Sequence, residues 1–126
     1  MARPLLSLYL PELTALHQPL SGEFAGRREV MEAIPFVEGW GVEIAMLADL
    51  VARFGPAIVG QTDLGTRLHR HRSLHELSVQ AAEVTATLLS RVKGAPPLPP
   101  EPGLTRADGS VHPLNLAERP PLASLR

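Results

Sequence analysis

No cysteine occurs anywhere in the 126 residues. Disulfide staples, thiolate metal ligands and a thiol nucleophile are thereby excluded, and the composition suits a reducing compartment, with the cytoplasm as the expected location. Aromatic side chains are scarce, at three Phe, one Tyr and one Trp. A single-stranded nucleic-acid site stacks bases on exposed aromatics beside a basic stripe, and a chain with so few rings and a formal net charge of -1 offers neither. The same balance gives no electrostatic reason to bind a membrane surface. Leu5, Leu6, Leu8, Tyr9 and Leu10 form an apolar run, but Pro11 and Glu12 stop it far short of the ~20 residues that span a bilayer. The longer apolar region and small-residue cleavage site of a signal peptide are missing too. There is no glycine-rich phosphate loop and no Gly-X-Ser-X-Gly elbow, and Asp49, Asp63 and Asp108 form no Asp-X-Asp pair.

What is present divides unevenly. Eight of the thirteen prolines lie beyond residue 94. The expected organisation is therefore a compact unit over 1–94 and a Pro-rich, extended tail over 95–126, with leucines as scattered anchors. At the start, the apolar run from Ala2 to Leu10 reads as the end of a helix or an extended segment buried on more than one face. It begins with no cap, which raises the expectation of a preceding segment or of one supplied by another chain. Arg27 to Ile34 reads as a short helix with an Arg28–Glu32 pair, stopped by Pro35. Val42 to Phe54 carries a helical apolar stripe ended by Gly55-Pro56. Ser73 with Glu76 forms a capping box, opening a helix whose stripe runs through Leu74, Leu77, Ala81, Val84, Leu88 and Val92. Strands are expected in the 14–19 and 57–72 regions.

The chemistry concentrates between Gly39 and Arg72. Glu43 lies in the first turn of a largely apolar helix, where the macrodipole stabilises a carboxylate by ~0.3–1 kcal/mol. From this chemistry alone it reads first as a helix-end residue and second as a ligand-facing carboxylate. From Asp63 to Arg72 the sequence alternates, and an extended backbone places Arg67, His69 and His71 on one face. His-X-His is a metal-ligand spacing and also a common surface pair. Arg67, Arg70 and Arg72 suit a phosphate, through forked charge-assisted hydrogen bonds, and equally a solvated basic edge strand.

Taken together, Arg3-Pro4-Leu5-Leu6, Gln18 to Ala25 with Arg28-Glu29, Pro35-Phe36, Gly39-Trp40-Gly41-Val42-Glu43-Ile44, Asp63-Leu64-Gly65, His69-Arg70 and Leu116 to Pro121 resemble, in order, the C-terminal half of the glucosyl-3-phosphoglycerate synthase family. The resemblance implies an α/β architecture: the C-terminal part of a GT-A (Rossmann-like) glycosyltransferase fold, with a short mixed sheet, packing helices and a Pro-rich tail. It also implies a retaining transfer of glucose from UDP-glucose to 3-phosphoglycerate with a divalent metal, Mg2+ or Mn2+. Carried across, Glu43 contacts the transferred sugar at the reacting centre, and Leu20 and Trp40 line the sugar pocket. Arg67 faces the donor diphosphate, His71 and Arg72 belong to the acceptor side, and His69 ligates the metal.

The sequence departs from the family pattern in several places. Trp40 stands where the family has a tyrosine, which exchanges a hydroxyl tip for an indole N–H. His71 stands where it has an asparagine. The Asp-X-Asp motif and the Gly-Arg-Val-Thr acceptor loop are not in this sequence, so the metal site is expected to be incomplete and the chain alone inactive. A missing N-terminal half or second subunit, and self-association as a homodimer or higher homo-oligomer, are the expected partners; nucleic acid and membrane are not. A transferase using another nucleotide sugar, or a non-catalytic oligomerisation module descended from such an enzyme, are the alternatives.

Overall fold

The computed structural model describes residues 2–65 and 73–126. Among the described residues four α-helices form, in chain order α1 (Ala2–Tyr9), α2 (Arg28–Met31), α3 (Val42–Phe54) and α4 (Leu74–Leu89). The strands are β1 (Phe36–Val37), β2 (Gly103–Thr105), β3 (Val111–Pro113) and β4 (Glu118–Arg119). They pair as two antiparallel ribbons, β1 with β4 and β2 with β3. Among the described residues no helix is long and apolar enough to cross a membrane.

The centre is α3. Ile44, Ala45, Met46, Leu47, Ala48, Leu50 and Val51 are all buried, as in a helix apolar on most of its circumference. Ile44, Leu47 and Val51 pack with Leu6 of α1, Leu13, and Val84 and Leu88 of α4. Met46 and Leu50 turn the other way, onto Ile34 with Val30, Met31 and Phe36 around it. Gly55 at φ 86 ends the helix, its N–H donating to Val51 O at 2.8 Å. Capping at α4 follows its sequence signature: Ser73 Oγ accepts from Glu76 N, and the Glu76 carboxylate accepts from Ser73 N.

Several expectations are corrected. Residues 14–19 form no strand, because side chains serve the local backbone. Arg3 donates to Thr14 O and Leu16 O, and Gln61 accepts from His17 N and donates to Ala15 O. Nor do residues 57–60 form a strand: Pro56–Ile58 is a 3-10 turn, Val59 N donating to Pro56 O at 3.3 Å. Asp63 Oδ1 accepts from Gly65 N at 2.8 Å, with Gly65 at φ 87, a turn where an extended segment was expected to begin. α1 is buried mainly through Leu6, and Leu8 is 74% exposed. The apolar stripe of α4 is buried only in its second half, since Leu74 is 84% exposed. The α/β class holds, but among the described residues three of the four strands come from beyond residue 102, and 66–72 of the expected strand region lie outside those residues.

Those late strands tie the chain's end to its middle. β4 sets Arg119 opposite Phe36 and Glu118 opposite Val37, and Glu38 N donates to Ala117 O at 2.8 Å. Ala123 N donates to Glu32 O, and Arg126 pairs with the Glu32 carboxylate, which also accepts from Arg28 Nε at 2.8 Å. Arg91, after α4, pairs with Asp49 of α3 at 3.3 Å and with Glu118 of β4.

Leu88 is fully buried. Truncating it as Leu88→Ala is expected to cost about 2–5 kcal/mol, read as a lowered urea midpoint with an unchanged slope. The pH dependence follows from Glu32 and Asp49. The hydrogen bond from Arg28, with Arg126 adding to it, holds the Glu32 carboxyl below its ordinary value. As pH falls, the unfolded chain therefore takes up this proton first, and the stabilisation present at neutral pH is lost through the folded value. Burial raises the Asp49 carboxyl, outweighing Arg91, so its contribution runs in the opposite sense. Glu32→Gln is expected to lower the melting temperature at pH 7 and to converge with the parent chain at acid pH, in scans from pH 7 to 3. A constant difference across that range would remove Glu32 from the acid limb.

Candidate functional site

The site is built at the N-terminal end of α3. Gly39, Trp40 and Gly41 lead into it, and the first-turn residue Glu43 is half-buried. The Ser21–Gly22 turn lies alongside: a methyl group placed on Gly22 would sit 3.8 Å from Glu43 Oε1. That turn is set by Gly22 at φ 78 and by Ser21 Oγ, which accepts from Glu23 N at 3.2 Å. Leu20, just before it, packs its half-buried side chain against the core cluster under α3. The structure thus brings Leu20, Trp40 and Glu43 to one region of the fold. Arg67, His69, His71 and Arg72 lie outside the described residues.

Both glycines that flank Trp40 answer to close packing. A Cβ on Gly41 would collide with the Thr87 side chain of α4, and one on Gly39 would collide with Asn115 O and Glu83 Oε1. The loop is pressed between α4 and the returning C-terminal segment. Glu83 holds it there. Its carboxylate is buried at 4% exposure, Oε1 accepting from Trp40 N and Oε2 from Asn115 N, each at 2.9 Å. Sequence reasoning did not single out Glu83, Thr87 or Asn115. The available signal was an acidic residue beside Val84 on the packing face of α4, where a solvated carboxylate has no place.

Among the described residues the Glu43 carboxylate has no hydrogen-bond or ion-pair partner. A carboxylate held at the positive end of a helix and left unengaged by the described residues is an available acceptor for hydroxyls of a ligand. No group of three His, Asp or Glu side chains that could hold a metal occurs among the described residues. Clefts of about 160 and 280 Å3 lie elsewhere, the first by Leu13 and Gln61 and the second by Asp49 and Arg91. Neither is lined by Leu20, Trp40 or Glu43.

No protein-family model matches the chain. Curated relatives do. It is 52% identical over 93 residues to the glucosyl-3-phosphoglycerate synthase of Petrotoga mobilis, covering 74% of this chain and 29% of the relative. It is 44% identical over 137 aligned positions to that of Mycolicibacterium smegmatis, covering 100% of this chain and 43% of the relative. Among solved structures, the Mycobacterium tuberculosis glucosyl-3-phosphoglycerate synthase with Mn2+, UDP-glucose and glycerol 3-phosphate superposes at a TM-score of 0.89, with 44% identity over 99% of this chain and 44% of that one. The same enzyme with Mg2+ and UDP superposes at 0.86, over 98% of this chain and 45% of that one. The chain spans less than half the length of these relatives and corresponds to their C-terminal part.

The packing at Gly41 makes a direct prediction. Gly41→Ala must displace Thr87 or the loop, and is expected to destabilise the chain by about 1–3 kcal/mol. Gly60→Ala, where an added methyl meets nothing within 4 Å, is expected to stay within about 0.5 kcal/mol. Equal melting temperatures for the two variants would contradict the close contact between loop and helix.

Proposed function

We propose that this chain, homologous over its length to the C-terminal part of the glucosyl-3-phosphoglycerate synthases, provides the sugar- and acceptor-side wall of a retaining glucosyltransferase site. The observation that carries the reading is the superposition at a TM-score of 0.89 on an enzyme holding a nucleotide sugar, a metal and a phosphorylated acceptor. The local chemistry agrees. Glu43 offers an unengaged carboxylate for a sugar hydroxyl near the reacting carbon, and Leu20 and Trp40 give that sugar an apolar and an aromatic surface. In this reading Arg67 faces the diphosphate of UDP-glucose, and His71 and Arg72 take the phosphate or carboxylate of 3-phosphoglycerate. His69 gives one imidazole ligand to Mg2+ or Mn2+, with the remaining oxygen ligands coming from outside this chain. The metal, when bound, offsets negative charge on the leaving diphosphate.

Exposed Leu74 and Leu77 on α4 favour an association surface, for a nucleotide-binding part or for a second copy of the chain. A cytoplasmic setting belongs to the same proposal. UDP release from UDP-glucose and 3-phosphoglycerate, with Mg2+ or Mn2+, is the test. The chain alone is expected to release none. Mixing it with the N-terminal part of a curated relative is expected to produce release, and Glu43→Gln to lower that release about a hundredfold or more while leaving stability within about 0.5 kcal/mol. Turnover by the chain alone would overturn its dependence on a second part. Co-elution of the two parts without turnover would overturn the transferase reading.

A further inference from the structure

Glu83 is a buried carboxylate for which the reaction just proposed has no use. Among the described residues it makes no ion pair, and its charge is balanced only by the backbone N–H groups of Trp40 and Asn115. An apolar side chain at that point of α4 would be easier to bury. What a carboxylate adds is two acceptor oxygens in one plane, serving two donors from segments far apart in sequence. One is the loop carrying Trp40 into the turn that bears Glu43. The other is the 114–119 segment, which continues alongside β1 through Ala117 and Glu118. Gly39 closes the arrangement, since a side chain there would meet Asn115 O and Glu83 Oε1.

We infer that Glu83 is a positioning residue for the Gly39–Gly41 loop, and that the C-terminal segment around Asn115 is the second support of that loop, so that the sugar-side geometry depends on the far end of the chain. The functional half of this inference rests on the proposed roles of Trp40 and Glu43, whereas the structural half stands without them.

Trp40 is the sole tryptophan, so its fluorescence reports the loop directly. In the unaltered chain the amides of Trp40 and Asn115 are expected to exchange with solvent as slowly as those in the second half of α4. Fast exchange at both, with α4 protected, would overturn the clamp without any variant. Glu83→Gln keeps the volume but offers one acceptor oxygen, its amide group facing the second N–H. Glu83→Asp keeps both oxygens on a shorter stem. If the acceptors matter, Trp40 loses more residual anisotropy in the Gln variant than in the Asp variant, with circular dichroism retained in both. If packing alone matters, the order reverses and the inference falls. In the two-part transfer assay Glu83→Gln is expected to lower kcat about a hundredfold with the KM for 3-phosphoglycerate unchanged. Full activity alongside a released Trp40 would remove the positioning role. Absence of turnover with the unaltered chain would instead count against the proposed function, leaving the exchange and anisotropy results to decide the clamp.

Discussion

Two hydrogen bonds to one buried carboxylate join the three parts of the molecule that sequence distance keeps apart. Glu83 on α4 accepts from Trp40, forty-three residues earlier, and from Asn115, thirty-two later. Without that group, two inward-facing N–H donors would lose their partners, and a buried polar group without one costs ~1–3 kcal/mol. The nearby contacts depend on the same geometry. Gly41 can lie against Thr87, and Gly39 against Asn115, only while the loop is drawn onto α4. β1 can meet β4 only while the 114–119 segment runs beside the loop. The ribbon is two residues on each strand, far too short to hold itself, and so depends on neighbouring anchors.

Glu43 presents the opposite use of a carboxylate. It sits in the first turn of the most buried helix among the described residues, so its backbone is held by the packing of Ile44, Leu47 and Val51. Its side chain, in contrast, is left without a partner among the described residues. A rigid backbone with an unengaged functional group is what an acceptor of ligand hydroxyls needs, since orientation is settled before anything binds. Gly22 allows the neighbouring turn through its positive φ of 78, and a Cβ there would meet Glu43 Oε1 only at ordinary contact distance.

Legibility in the sequence followed the range of the interactions involved. The bounds of α3 were readable because its stripe, Gly55 and Pro56 all act within a few residues. The α4 cap was readable because Ser73 and Glu76 satisfy each other. The Arg28–Glu32 pair was readable as neighbours on one helical face, but Arg126 as a second partner of Glu32 was not. β1 and β4 were missed because their pairing is long-range, and β2 and β3, a local hairpin, because strands of three residues fall below any periodic signal. Apolar pieces that looked like strands, 14–19 and 57–60, had their backbone groups served by Arg3, Gln61 and a proline turn instead. On the site, the glycines around Trp40 were visible as a loop. The reason for them, close packing of Gly41 on Thr87 and of Gly39 on Asn115 and Glu83, was not.

Arg91 shows why the C-terminal segment is structural rather than a spacer. Its guanidinium lies between Asp49 of α3 and Glu118 of β4, with its side chain 14% exposed. Burial alone raises the Asp49 carboxyl and Arg91 only partly reverses that, so the pair contributes little net charge stabilisation at this point. Its value is geometric. A forked cation accepts only certain placements of two carboxylates, and here those placements are the middle of α3 and the strand that returns beside β1. Glu83 imposes the same kind of restriction, with the charges inverted, one layer nearer the site. The two ionic groups lie in series: Arg91 joins α3 to β4, β4 pairs with β1, and Glu83 joins the 114–119 segment to the loop carrying Trp40. Composition marked the residues beyond 94 as an extended tail, and within it Asn115 N donates to Glu83, Ala117 O accepts from Glu38 N and Glu118 pairs with Arg91.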